Sequence, residues 1–266
     1  MERLLAVELE SAGCAAEIAL NGMPVAALGT GGGRTVLAVH EYTLSGRNAL
    51  ALTVGCAPAG QAVTPQPRVA VGPTWARARL ALVRQGQSPG DPNARVLGAV
   101  EWAAPEGKTW EAPSTHTREV DLPVTFPRWR WLDAPPIAFG PLVHRQILEF
   151  VQELSIELAH GNPEPLLVAA KLRMEELALA YQRNVADVVQ RFRDHLQGLY
   201  AAKALKVVPP TAEDVVLRPV VEGRLVECLT PVGGPALRTR NEAPALGDHA
   251  WPLRLALVEG RIYVLR

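Results

Sequence analysis

The fold is decided by residues 119–158, EVDLPVTFPRWRWLDAPPIAFGPLVHRQILEFVQELSIEL. At its start two acidic residues, Glu119 and Asp121, are each followed by an apolar residue, which is the pattern of a strand with one face in water. From Leu142 onward, apolar residues recur every three or four positions, the period of an amphipathic helix. The change of period past Pro136 predicts a change of domain.

Upstream of this stretch, short runs rich in Val, Leu and Thr are separated by turn signals such as Asn21-Gly22. This spacing is typical of a sandwich or barrel. The predicted strands are Glu17–Leu20, Met23–Val25, Arg34–Val39, Asn48–Val54, Arg68–Val71, Ala76–Arg84, Arg95–Trp102 and Thr117–Phe126. We therefore expect residues 1–136 to form an all-β sandwich.

Downstream, the pattern predicts helices followed by strands, which together indicate an α+β domain over residues 137–266. The three predicted helices run from Leu142 to His160, from Pro163 to about Tyr181, and from Asn184 to about Tyr200. Asn162 and Asn184 have the side chains expected at helix N-caps. Two hairpins follow, Asp214–Val221 with Arg224–Leu229 and Leu253–Val258 with Arg261–Leu265, the second with Gly260 in its turn.

Composition excludes several classes of protein. Hydrophobic residues make up 48% of the 266 residues and charged residues 20%, which is unlike a disordered chain. Lys and Arg together number 27, as do Asp and Glu, so the basic excess typical of nucleic-acid binders is missing. We therefore expect no nucleic-acid partner. We also expect no membrane partner, because no run of about 18 apolar residues occurs. The residues from Met1 to Glu10 lack the unbroken apolar stretch of a signal peptide.

The three cysteines, Cys14, Cys56 and Cys228, are widely separated and form no CxxC pair. This spacing disfavours a disulfide scaffold or a zinc site and fits a reducing compartment, so we expect a cytoplasmic protein. We interpret the three thiols as buried structural side chains, with a reactive cysteine as the alternative.

The sequence contains only incomplete versions of known catalytic and ligand-binding motifs. The glycine-rich segment Gly29–Arg34 is followed by β formers and lacks the helix of a phosphate-binding loop, so we interpret it as a hairpin loop. Glu157 and His160 form one Glu-x-x-His element, whereas di-metal bundles need two. No G-x-S-x-G, H-E-x-x-H or G-x-G-x-x-G occurs, and the six histidines are scattered. We predict no cofactor, no metal and no assignable catalytic residue, and catalysis stays open because triads are defined by geometry.

Aromatic and acidic residues provide two further candidates. Trp129 and Trp131 would share one face of an extended strand, either exposed as a stacking platform or buried at the core or domain boundary. We favour burial at the boundary. The acidic residues Glu149, Glu153 and Glu157 recur at four-residue intervals and are interpreted as a solvated helix face.

The N-terminal half resembles the jelly-roll modules of the galactose-binding-like superfamily. The resemblance lies in Ala19-Leu20-Asn21-Gly22, Val39-His40-Glu41-Tyr42 and the run Gly46–Val54, and it covers about the first 55 residues. It implies a jelly-roll-like sandwich and transfers no sugar-contacting residue.

The C-terminal half resembles the cone-shaped domains of the nuclear transport factor 2-like superfamily, helices followed by a meander ending in Arg261–Leu265. That superfamily includes isomerases, dehydratases and non-catalytic proteins, and its catalytic Asp and His match no position here. A fold resemblance alone does not assign a function.

Three functions are compatible with these patterns. The favoured one is a non-catalytic, cytoplasmic binding or interaction protein of bacterial type. The alternatives are a cone-fold enzyme (isomerase, dehydratase or hydrolase) with an Asp or His base in the C-terminal domain, and a carbohydrate-binding module. The expected partner is another protein or a carbohydrate, and a homodimer is a further alternative.

Overall fold

The computed structural model describes residues 3–56, 64–84, 86–122, 124–241 and 247–266. Met1, Glu2 and Pro123, which belong to stretches interpreted above, lie outside the described residues. The chain divides between Arg128 and Trp129 into two units, a few residues before the boundary expected from the sequence. Most of the regular structure is antiparallel sheet, and the helices lie in the C-terminal half.

The first unit is built from antiparallel strands. In chain order they are β1 (Arg3–Ala12), β2 (Ala16–Leu20), β3 (Met23–Leu28), β4 (Gly33–Ala38), β5 (Gly46–Val54), β6 (Gln66–Val69), β7 (Thr74–Arg84), β8 (Arg95–Ala104), β9 (Thr109–Ala112) and β10 (Ser114–Leu122). They form one sheet of order β4-β1-β7-β8, a second of order β10-β5-β2-β3, and the pair β6-β9. Each expected strand overlaps an observed one, while β1 and β9 were not expected.

Alternation explains which side of each strand is buried. In β7 the inward residues Ala76, Ala78 and Leu80 are buried, and the intervening Arg77 and Arg79 are partly exposed. The inward rows of both four-stranded sheets meet in a single hydrophobic cluster. Its members include Leu5, Val7, Leu9, Ile18, Leu20, Leu50, Leu52, Val54, Ala76, Ala78, Leu80 and Val120.

Asn21, of the Leu20-Asn21-Gly22 stretch, and Asn48, of the run Gly46–Val54, are hydrogen-bonded to each other. Asn48 is 1% exposed, and its side-chain oxygen accepts hydrogen bonds from Asn21 Nδ2 at 2.8 Å and the Leu44 amide at 2.7 Å. Its Nδ2 donates to the carbonyls of Leu44 and Gly46 at 2.9 and 2.8 Å. Asn21 Oδ1 accepts from the Ala49 amide at 2.9 Å. The sequence element therefore acts in packing, by joining the β2–β3 turn to the start of β5.

The glycine-rich segment Gly29–Arg34 leads into a strand, as its β formers predict. The interpretation as a hairpin loop is wrong, however, because β4 pairs with β1 and β3 pairs with β2. The segment is a crossover from one sheet to the other, closed by a hydrogen bond from the Gly32 amide to the Gly29 carbonyl at 2.9 Å. The connection is therefore determined by the strands with which β3 and β4 pair, and not by the residues of the turn itself.

The second unit has helices first and strands after them. Its helices are α1 (Pro141–Ala159), α2 (Glu164–Ala169), α3 (Lys171–Ala180) and α4 (Val185–Ala201). Its strands are β11 (Val216–Val220), β12 (Leu225–Leu229), β13 (Leu237–Arg238), β14 (Ala250–Trp251), β15 (Arg254–Val258) and β16 (Arg261–Val264). The main sheet has the order β11-β12-β15-β16, all antiparallel, and β13 pairs with β14.

The first and third predicted helices are present, the second is divided in two, and the predicted N-cap Asn162 is wrong because Pro163 is the N-cap of α2. Asn184 caps α4 by accepting a hydrogen bond from the Ala186 amide at 2.8 Å. The helix predicted from Pro163 to Tyr181 is divided at Ala170, whose φ of −93° and ψ of 7° end α2 and begin α3. Both predicted hairpins are present, and Gly260 takes a φ of +76° in the second.

One face of the main sheet packs on the helices. The cluster includes Ile147, Val151, Leu154 and Leu158 of α1, Leu166, Met174 and Leu196 of the later helices, and Val226, Cys228, Leu255 and Val264 of the sheet. Glu149 and Glu153 on α1 are exposed and Glu157 is partly exposed, so the acidic stripe lies on the solvated side as predicted. None of the helices in the described residues is long and apolar enough to span a membrane.

Candidate functional site

A tryptophan-lined pocket on the first unit is the candidate functional site. It has a volume of about 630 Å³ and is lined by Trp75, Arg77, Glu101 and Trp102 together with two alanines. Trp75 and Arg77 come from β7, and Glu101 and Trp102 come from the adjacent edge strand β8. Trp75, Arg77 and Glu101 project from the outer face of the sheet, whereas Trp102 is the register partner of the buried Ala76 and packs against the core cluster on the inward face. The outer face therefore combines one indole with a guanidinium and a carboxylate.

A charge ladder crosses the sheet at the level of this pocket. Strand register aligns Arg34 of β4, Glu10 of β1, Arg77 of β7 and Glu101 of β8, so the charges alternate in sign along the row. Glu10 Oε1 lies 3.1 Å from Arg34 Nε, and Glu10 Oε2 accepts from Arg77 Nη2 at 2.5 Å. In the next row Glu8 is ion-paired with Arg79 and with Arg34, while the outer positions of that row are the uncharged Val36 and Ala99. Cross-strand pairs of opposite charge stabilise a sheet and fix its register.

The ladder ends at an unpaired carboxylate. Glu101 is exposed and forms no hydrogen bond or ion pair with any residue that the structure describes, although Arg77 is its register partner. Burial alone would raise the pKa of Glu10, but the hydrogen bond and charge of Arg77, with the charge of Arg34, lower that pKa overall. The Glu10 carboxylate is thus ion-paired with Arg34 and Arg77, whereas the Glu101 carboxylate can accept a hydrogen bond from a ligand.

Aromatic rings surround Trp102 on the inward side of β8. The Trp102 ring lies 4.6 Å from that of Trp110 and 6.5 Å from that of His116, measured between centroids. Trp110 also packs against Gly55, where a Cβ would lie 2.7 Å from the indole. These contacts hold Trp102 on the inward side of β8, so its indole supports the strand behind the site and does not face Trp75.

Comparison with known proteins gives no family. No protein-family model, curated protein or solved structure matches the chain. The site must therefore be judged on its own chemistry.

The tryptophan pair singled out from the sequence lies elsewhere. Trp129 and Trp131 lie at the start of a short 3-10 helix, Arg130–Leu132, so the expectation of an extended strand is wrong. Both indoles are fully buried, and the Arg266 guanidinium lies 5.6 Å from the centroid of the Trp129 ring. Buried indoles cannot serve as an exposed stacking platform, so Trp75 becomes the candidate aromatic residue.

The Glu-x-x-His element ends α1. His160 is the exposed C-cap residue of that helix, and the Glu157 carboxylate accepts a hydrogen bond from Asn162 Nδ2 at 2.5 Å. Among the residues with described positions, no group of three or more His, Cys, Asp or Glu side chains is arranged to hold a metal ion. The structure brings His195 and His249 together, with ring centroids 6.0 Å apart.

The cysteines are free thiols. Cys14 and Cys228 are buried, as expected, while Cys56 is only partly buried. Burial raises the pKa of both buried thiols, and the charge of Glu227 raises that of Cys228 further. Both thiols are consequently poor nucleophiles at neutral pH.

The sequence could not identify the candidate site. Trp75 and Trp102 were visible as tryptophans, and the alternation around Arg77 placed that residue on a solvated face. The approach of Glu101 to Trp75 and Arg77 depends on the β7–β8 register, which shifts at an irregularity between Leu80 and Ala81. A register shift of this kind has no reliable local signature.

Proposed function

We propose that the protein is a non-catalytic binding protein and that its tryptophan-lined pocket binds the ring of a carbohydrate. In this proposal the first unit is a jelly-roll-like β-sandwich, and the second has the cone-shaped α+β architecture. The observation that carries the proposal is the placement of one partly exposed indole, Trp75, on the same outer sheet face as Arg77 and the unpaired carboxylate of Glu101.

The chemistry of a sugar ring matches this set of groups. A pyranose presents an apolar C–H face, which packs on an aromatic ring, and a rim of hydroxyl groups, which both donate and accept hydrogen bonds. Trp75 supplies the apolar surface. Glu101 can accept from a hydroxyl and Arg77 can donate to one, and a few such polar groups in a pocket fix ligand orientation.

The same groups argue for binding without hydrolysis. Glycosidases use two carboxyl groups about 5–9.5 Å apart, one of them an acid with a raised pKa. Glu101 is the carboxylate that lines this pocket, and the neighbouring Glu10 is ion-paired with a lowered pKa. The charge ladder therefore does not supply the protonated carboxyl group that a glycosidase would use as its acid.

The proposal is tested by screening the full-length protein on a glycan array and titrating the best monosaccharide by calorimetry. We expect Trp75→Ala to weaken binding by about tenfold or more, as for an aromatic anchor at the centre of a site. We expect Glu101→Gln to weaken it less, because an amide still accepts a hydrogen bond. Incubation with the bound glycan should leave it intact.

Glu119→Gln is the matched control, since Glu119 is an exposed strand glutamate on the other sheet. It should bind as tightly as the unmodified protein. The proposal fails if no glycan binds, or if the folded Trp75→Ala protein binds with unchanged affinity. Cleavage of the glycan would overturn the non-catalytic part alone.

A further inference from the structure

The C-terminal unit contains a second, more apolar pocket of about 470 Å³. Strands β15 and β16 contribute Ala256, Val258 and Tyr263, Leu265 follows β16, and the start of α3 contributes Leu172. Ala256 and Tyr263 are register partners, so their side chains lie on the same face of the sheet. Most of this wall is aliphatic, with one phenol.

The remaining wall, residues 130–135, is fixed at both ends. The Arg130 amide donates to Glu176 Oε1 at 2.7 Å, and Arg130 Nη2 lies 2.9 Å from Glu175 Oε2, which ties the start of the segment to α3. At its other end the Ala134 carbonyl accepts from Arg224 Nη1 at 2.8 Å. A wall held in this way forms the pocket before any ligand arrives, which lowers the cost of binding.

The polar groups around this pocket carry both signs of charge. Arg130 contributes a guanidinium that is already paired with Glu175, and Asp133 contributes a carboxylate. Moving a charged ligand against the aliphatic wall would cost the desolvation of its charge, and the Arg130 guanidinium is already paired with Glu175. A neutral ligand with hydrogen-bonding capacity is compatible with both groups.

We infer that this pocket is a binding site for a small uncharged molecule with one or two aromatic or alicyclic rings. An enclosed cavity of about 150 Å³ accommodates benzene, so a partly open pocket of this size has room for a bicyclic ring. The aliphatic wall would contact the ring, and Tyr263 would contribute its aromatic face. The site lies within the second unit and is independent of the sugar proposed for the first.

Three probes with one ring system test the inference: indole, indole-3-acetate and tryptamine, which are neutral, anionic and cationic. Each is titrated into the full-length protein and followed by amide chemical shifts. We expect indole to shift the amides of Ala256, Tyr263 and Leu265 and to bind at least about fivefold more tightly than either charged congener. Tighter binding of a charged probe, or shifts confined to other residues, would overturn it.

A blocking variant completes the test. Val258→Trp places an indole within the pocket and should weaken the binding of free indole by roughly tenfold or more. Val232→Trp adds the same side chain at a residue that is 75% exposed and should leave indole binding unchanged. If Val258→Trp does not fold, Tyr263→Ala serves in its place. Unchanged indole affinity in either folded pocket variant would refute the site, whatever the glycan array shows.

Discussion

At the scale of single residues, Gly161 shows how backbone and side-chain limits combine. It follows α1 with a φ of +78°, and the amides of Gly161 and Asn162 donate to the Leu158 and Glu157 carbonyls, both at 2.9 Å, in the two-bond pattern of a Schellman cap. A Cβ at this position would also lie 2.8 Å from three atoms of the Tyr200 ring. Glycine is therefore required for two separate reasons.

Gly260 allows the backbone effect to be measured without the steric effect. It has a φ of +76°, but a Cβ added there would meet no neighbouring group within 4 Å. Gly260→Ala should lower the free energy of unfolding by about 1–2 kcal/mol through the left-handed backbone alone. Gly161→Ala should cost at least about 1 kcal/mol more, since Tyr200 must move. Urea unfolding measures both. In a Tyr200→Ala background the two substitutions should cost the same, and a persistent difference would contradict the steric explanation.

The candidate site shows the limit of prediction at this scale. The sequence drew attention to Trp129 and Trp131 because they are close together, and it suggested burial, which the structure bears out. It did not connect Arg77 with Glu101, which are 24 positions apart in the numbering and meet only through strand pairing. Proximity along the chain is visible in a sequence, whereas proximity across a sheet requires the register.

At the scale of elements, the charge ladder links three strands through Glu10. Its folded-state pKa is lowered relative to the ordinary value of 4.5. A lowered pKa means that the ionised carboxylate stabilises the fold above the ordinary pKa and that this stabilisation is lost as the pH falls through the folded-state value. The arginines are partly exposed, so the contribution is modest, about 0.5–1 kcal/mol after solvent screening.

Glu10→Gln should therefore lower the free energy of unfolding at pH 7 and flatten its decline as the pH falls below about 5. Urea unfolding across this pH range measures both effects, and added salt should reduce the difference at neutral pH. Glu119→Gln is the comparison, because that side chain is 67% exposed and lies 3.6 Å from Arg47 Nε. Identical pH profiles for the two variants would show that the ladder contributes nothing.

Strands and helices could be predicted where the spacing of apolar residues or an N-cap residue marks them in the sequence. The alternation in β7 and the three- and four-residue spacing in α1 gave both elements, and Asn184 marked the start of α4. The break at Ala170 has no glycine or proline beside it and reflects the packing of Leu166 and Met174 into one core. The crossover at Gly29–Arg34 likewise depends on which distant strand β4 finds.

At the scale of the whole molecule, the two hydrophobic clusters draw on separate parts of the chain. The buried members of one extend from Leu5 to Leu122, and those of the other from Ile137 to Val264. Neither cluster needs residues from the other for its own continuity. This separation allows each unit to be studied as a fragment.

The position of the boundary leads to a sharper prediction. Residues 129–136 contain two fully buried indoles, and the Arg130 amide donates to the buried Glu176, which also binds Arg266 Nη1 at 2.5 Å. If these residues belong to the second unit, fragment 129–266 should be folded, and fragment 137–266 should lose at least about 3 kcal/mol or fail to fold. Fragments 1–128 and 1–136 should be equally stable. Thermal melts and amide spectra of the four fragments decide the matter, and equal stability of 129–266 and 137–266 would instead support the boundary at 136/137.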